Sequence, residues 1–343
     1  MQHPRSYHIS FILIGLALLC SWILNIGSGS VHIPFEETFS ILFGGNPKVE
    51  AWSYIVWNYR LPKTFTAILV GGGLSLSGLL MQTLFRNPLA GPFVLGISSG
   101  ASLGAALLLM GMTLFTGIAS FSFLGDVSLA LAASVGSFLV LSVVMIVAQK
   151  VKDTMALLII GLMFGSITSA IVSVLAYFSS AESLQRFIFW SFGSVGNLTP
   201  HQIVLLTGIV FVGLLLSIVS LKPLNAFLLG EHYAQSLGVS LKKTRLVIII
   251  ATGILAGGIT AFAGPIAFVG LAVPHLTRQI FDTMEHKVLI PAVFLYGAIL
   301  MLLCDTLAQW PNSASVLPIN AITSLVGAPV VIWLLVRKRK MLF

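Results

Sequence analysis

Apolar residues in this chain come in long runs rather than in stripes. Runs near the 17 to 25 residues that cross a bilayer as a helix cover residues 9–26, 64–82, 94–112, 127–147, 154–178, 202–221, 246–262, 266–281, 288–305 and 320–336. About ten transmembrane helices therefore predict an all-α polytopic membrane protein, a single domain over residues 1–343. The eighth run is the least regular, because Pro265 and Pro274 interrupt it and Arg278 lies near its end. The first run has a second reading as a cleaved signal peptide, since Gly27, Ser28, Gly29 and Ser30 follow it. Its length and the odd number of spans left by its removal favour a first helix.

Three segments between the runs carry their own signals. In residues 27–62, Pro34 and the carboxylates of Glu36 and Glu37 open a short surface helix that Gly44 closes. Trp52, Tyr54, Trp57 and Tyr59 then cluster at the place where amphipathic rings prefer the membrane interface. Residues 179–200 are rich in Phe, Trp and Gly and are expected to fold back into the outer face of the membrane. Residues 222–245 mix apolar and polar positions and predict two short surface helices, with Gly238 as a C-terminal cap. Such a segment suits docking onto another protein or resting on lipid.

Residues 60–104 predict a helical hairpin that turns at Arg86, Asn87 and Pro88. After the turn comes Ala90-Gly91-Pro92-Phe93-Val94-Leu95-Gly96, and Ala263-Gly264-Pro265-Ile266-Ala267-Phe268-Val269-Gly270 repeats it after the seventh span. The first copy follows an inward-going span and the second an outward-going one, so the halves read as an inverted internal repeat. Proline- and glycine-broken helices in inverted repeats are a transporter architecture. Small residues recur every four positions, at Gly96, Gly100 and Gly104 and at Gly161, Gly165, Ser169 and Ser173. Each set lies on one helix face, where it serves close helix packing or lines a path.

Charge narrows the picture. Only 8% of the 343 residues are charged, against roughly 25% in soluble domains, too few to solvate a globule. The net charge of +8 lies in short clusters between the runs, a topology signal rather than a footprint for nucleic acid. With both termini cytoplasmic, fourteen Lys and Arg fall inside and four (Lys48, Arg60, Lys63, Arg186) outside. Asp126, Arg278 and Asp305 lie at span edges, so no interior carboxylate offers a proton or sodium site. That argues against an ion-coupled secondary transporter. The absence of a His/Asp/Glu cluster with ligand spacing argues against a metal site or a membrane enzyme, and His275 after Pro274 reads as a helix-end residue. Cys20 and Cys304 sit in apolar runs as small packing residues. No phosphate-binding G-x-x-x-x-G-K-[S/T] occurs, so energy for active import would come from elsewhere.

Four stretches, RLPKTFTAILVGGGLSLSGLLMQTLFRNPLAGPFVLG, LLGEHYAQSLGV, AGPIAFVGLAVPHLTR and LPINAITSLVGAPVVIWLL, strongly resemble the FecCD-type permeases. These are the membrane subunits of ABC importers for ferric siderophores, haem and cobalamin. The resemblance covers almost the whole chain. It implies a type II importer fold, no catalytic residue and no cofactor on this chain, with ATP and Mg on the partner ATPase. Implied partners are a second copy or close homologue, two cytoplasmic ATPases, an outer binding protein and membrane lipid. The ATPases would meet Leu229, Gly230, Glu231, His232, Ala234, Leu237 and Gly238. Arg60 and Lys63 match the basic positions that meet carboxylates of the binding protein, and Gln309 stands where the family often has Arg. The final stretch adds Gly327 and Pro329 to the packing and path residues. His232 replaces a common second acidic residue and would make coupling mildly pH-sensitive, or be a solvated surface histidine. The expected cargo is an iron(III)–siderophore complex, with haem or cobalamin as the alternative, carried by ATP-driven alternating access in the bacterial inner membrane.

Overall fold

The computed structural model describes residues 7–111, 126–151, 154–309 and 316–336. Arg5, Lys152 and Arg337–Lys340 from the orientation count lie outside these, as does residue 112 of the third span. Among the described residues the chain is helical and without strands.

Its helices are α1 (His8–Gly27), α2 (Phe35–Leu42), α3 (Glu50–Phe85), α4 (Ile97–Gly111), α5 (Asp126–Lys150), α6 (Thr154–Phe178) and α7 (Ala181–Ser191). Then follow α8 (Pro200–Val219), α9 (Leu221–Leu228), α10 (Glu231–Ser236), α11 (Leu241–Ala263), α12 (Val269–Phe281), α13 (His286–Ala308) and α14 (Ile319–Val336). Seven of the ten expected spans are helices long and apolar enough to cross a bilayer, and α4, α12 and α14 are shorter. The eighth span is corrected most. Its helix starts only at Val269 and has 13 residues, about 20 Å of rise against a hydrocarbon core of about 30 Å. Residues 264–267 are non-helical because Gly264 takes φ 74° and Pro265 follows it. The expected surface helices are present as α2, α9 and α10, and residues 179–200, expected only to fold back into the outer face, contain the helix α7.

Helix α3 is the axis of the bundle. It packs along α13 and α12, and also touches α8, α11 and α1. It enters the bundle through a π-helical turn at Val56–Arg60, which accommodates the backbone donor that Pro62 lacks. Small residues set its distance from its neighbours. A Cβ on Gly71 would strike the Gly297 carbonyl of α13, and one on Gly78 the Gly270 carbonyl of α12. Gly270 is four residues before Pro274, so its carbonyl has no helical donor from that position. The first helix is integral to this packing: its buried Ile14 and Asn25 face α13.

The repeat is visible in how the two breaks are covered. In the first half, the Pro92–Leu95 turn ends at Gly96 with φ 71°, and α6 lays Gly161 on the Val94 carbonyl. In the second, the break ends at Phe268 with φ 65°, and α14 lays Gly327 on the Phe268 side chain. Each covering helix is two helices beyond the one that the break begins. Asn320 of α14 also pins the second break, accepting from the Ala267 amide at 3.0 Å.

Candidate functional site

The α9–α10 segment is built to hold an apolar ridge away from the bundle. Leu224 and Phe227 of α9 are fully buried and anchor it in the main core. Gly230 then reverses the chain at φ 104° and Gly238 again at φ 80°, conformations that strain residues with a Cβ. Between them Ala234 is buried, whereas Leu229, Tyr233 and Leu237 are 62%, 54% and 59% exposed. Tyr233 and Leu237, four apart along α10, share one face, and Leu229 is exposed just before the Gly230 reversal. His232 is exposed beside them. Glu231, expected to face a partner, is partly exposed and accepts from the Arg245 guanidinium at 2.5 Å. That bond staples α10 to α11 and so fixes how α10 carries Tyr233 and Leu237.

The opposite end holds Arg60, Lys63 and Gln309, but not as an outward basic face. Arg60 is 3% exposed. Its guanidinium donates to the carbonyls of Ile26 and Gly27 at 3.0 Å and of Val31 at 2.6 Å, closing the loop after α1. Gly29 allows this, since a Cβ there would lie 3.0 Å from the guanidinium. Lys63 pairs with Asp305 at 3.3 Å. Asp305 Oδ2 also accepts from Asn25 at 2.7 Å and from Gln309 at 2.6 Å, while Thr64 donates to Asn25 at 2.7 Å. The cations face inward because a charge at this depth needs paired acceptors more than it needs water. The cluster forms one wall of a cleft of about 670 Å³, closed on other sides by Phe189, Phe192 and Pro318.

The small residues pack the subunit. A Cβ on Gly100 would lie 2.6 Å from the Gly136 carbonyl, and one on Gly104 would strike that of Ala132, both in α5. Gly165 has ordinary contact with Ser99. Ser169 and Ser173 face outward on α6 beside Ile167, Ile171 and Val174, bonded to each other through the Ser169 carbonyl at 3.0 Å. Pro329 lies within α14. Asn87 caps the hairpin turn, its side chain accepting from Leu89 at 2.9 Å, and Pro88 follows it. His275 is half-buried behind Pro274.

Sequence reasoning missed a second polar group, near α9. Asn225, His286, Thr83, Gln82 and Arg278 meet there, drawn from α9, α13, α3 and α12. It also missed Asn25. The available signal was a polar residue inside or at the edge of an apolar run, as Asn25 and Gln82 are.

These features define a polytopic helical permease, with two covered helix breaks and an exposed apolar ridge at one end. Within that class the chain belongs to the FecCD transport family, whose pattern matches residues 17–337. It is 36% identical over 340 residues to the vitamin B12 import system permease protein BtuC of Klebsiella pneumoniae, covering 99% of this chain and 96% of that one. The BtuC of Shigella boydii is 34% identical, covering 99% and 98%, and that of Citrobacter koseri 37% over 286 residues, covering 83% and 84%. A structure described as an inward-facing conformation of a metal-chelate type ABC transporter superposes with TM-score 0.83 at 28% identity, covering 97% and 100%. PsaBC of Streptococcus pneumoniae, solved with a Fab, shares the fold alone, with TM-score 0.53 and 16% identity over 88% and 95%. The chain is therefore an ABC importer permease, a non-catalytic multi-pass subunit of the bacterial inner membrane. It works with a second permease subunit, and ATP hydrolysis belongs to a separate ATPase subunit.

Proposed function

We propose that this chain is the permease of a cobalamin importer. The support for cobalamin over the iron–siderophore complex first expected is the run of vitamin B12 permeases among its relatives at 34–37% identity. Cobalamin is itself a bulky metal chelate, so the likeness to a metal-chelate transporter is compatible with it. The α9–α10 end faces the cytoplasm, as do both termini, and the ridge of Leu229, Tyr233 and Leu237 seats the ATPase. Two permease subunits and two ATPases assemble, ATP and Mg bind only the ATPases, and closure of those subunits drives alternating access. A binding protein delivers cargo to the opposite end. There, a carboxylate entering the cleft would reach Lys63 by competing with Asp305, while Arg60 shapes the loop that receives it.

The observation that carries the coupling role is the exposed apolar ridge set off from the bundle by the positive-φ glycines Gly230 and Gly238. Uptake of labelled cobalamin, ferric siderophore and haem by a deletion strain complemented with this chain tests the proposal. Cobalamin uptake that vanadate blocks is expected, and Leu237→Asp should remove it together with co-purification of the ATPase. Restored siderophore uptake without cobalamin uptake would return the cargo to iron. An ATPase retained by Leu237→Asp would remove the ridge as its seat.

A further inference from the structure

The buried polar group beside α9 lies where loop motion would have to enter the bundle. Asn225, on the same short helix as Leu224 and Phe227, accepts from the backbone N–H of His286 at 3.0 Å. His286 is the first residue of α13, so this is one of the helix-end donors that no helical carbonyl can satisfy. The same Asn225 oxygen lies 2.6 Å from His286 Nδ1. A backbone N–H can only donate, which holds the amide oxygen toward it, and Nδ1 therefore carries the ring proton. His286 Nε2 is left as an acceptor, 2.9 Å from the Thr83 hydroxyl in the last turn of α3, whose single proton it shares with the Leu79 carbonyl, also at 2.9 Å. Both His286 and Thr83 are fully buried. The neighbouring Gln82 ties α3 to α12, accepting from Arg278 at 2.7 Å and donating to the Leu271 carbonyl at 3.0 Å. Apolar contacts between helices in lipid slide past one another, whereas hydrogen bonds of fixed direction do not.

We infer that His286 is a positioning residue, linking the α9–α10 loop to the α3–α13 axis through the chain Asn225–His286–Thr83. A push on the ridge is carried by α9 to Asn225, which moves the start of α13 and the end of α3 as one body. The link rests on the ATPase-docking reading of the ridge and adds to it the route inward.

The test uses the permease reconstituted with its ATPase partner, in a Cys20→Ser, Cys304→Ala background. Maleimide labelling of Ser236→Cys reports the loop, and labelling of Leu89→Cys the end of α3, each with and without ATP plus vanadate. In the parent, ATP should change both rates. In His286→Leu and Thr83→Val the loop rate should still respond and the Leu89→Cys rate should not. Uptake should then fall about tenfold while ATP hydrolysis continues, as expected for losing a buried hydrogen bond. His286→Gln keeps one donor and one acceptor and should preserve both responses. Two sites that still respond together in Thr83→Val, or two responses lost together, would overturn the link. So would a His286→Gln variant that behaves as His286→Leu. A parent loop that ignores ATP would instead remove the docking reading, and this inference with it.

Discussion

Helices α3 and α6 are both long and apolar enough to cross a bilayer, yet 89% of the spanning window of α3 is buried and only 17% of that of α6. The less buried helix is the more apolar one. In water this order would be reversed. In lipid a leucine gains nothing by leaving the tails, so the central place goes to the helix whose neighbours can come closest. Helix α3 carries Gly71, Gly72, Gly73 and Gly78 along its length and Thr64, Gln82 and Thr83 near its ends. Helix α6 presents Leu162, Met163, Ile167 and Ile171 to the outside. Hydropathy identifies a span; small and polar residues identify the span at the centre.

The sharpest way to break this comparison is to add a methyl group to each region. Gly78→Ala in α3 drives a Cβ into the Gly270 backbone and should cost about 3 kcal/mol or more, read as a large fall in melting temperature in detergent. Gly165→Ala in α6 meets only a side-chain oxygen at 3.4 Å and should leave that temperature nearly unchanged. Equal effects would mean that α3 is not held by close backbone approach. A smaller effect comes from the polar ends of α3. Asp305→Ala strands Lys63 near Asn25 and should cost about 2 kcal/mol, measured by the same melt. A gain in stability would show the pair to be an electrostatic burden. Smaller again, Ile167→Ala on the outer face of α6 should change stability by under about 0.5 kcal/mol, read by the same melt. A larger drop would mean that this face is already covered. At the end of the scale, Gly208→Ala in α8, where a Cβ would meet nothing within 4 Å, should be neutral or stabilise slightly through helix propensity.

Much of the site was legible one residue at a time. Gly238 marked a helix end because few other residues tolerate a positive φ, and Pro265 marked a break because proline removes a donor. Gly100 and Gly104 signalled packing by spacing alone, although their partner Gly136 did not stand out in α5. Arg60 and Lys63 were read as outward charges from their match to the family's basic docking positions. Their inward turn depends on Asp305 and on the Ile26–Val31 carbonyls, which are far away in the chain or carry no side-chain signal. His286 was invisible for the same reason, because a histidine before a span has meaning only beside Asn225 and Thr83.

The sequence by itself determined that the chain crosses a membrane repeatedly, where its helices break, and which segment stands out at one end. Those properties follow from the residue-by-residue cost of putting polar groups in hydrocarbon and from the backbone limits of glycine and proline. Only the tertiary structure decided which helix lies at the centre, which charges are spent inside and how the α9–α10 loop joins the bundle. Those properties depend on pairs such as Gly78 with Gly270, Lys63 with Asp305 and Asn225 with His286. Their members are far apart along the chain, and nothing local to either one specifies the other.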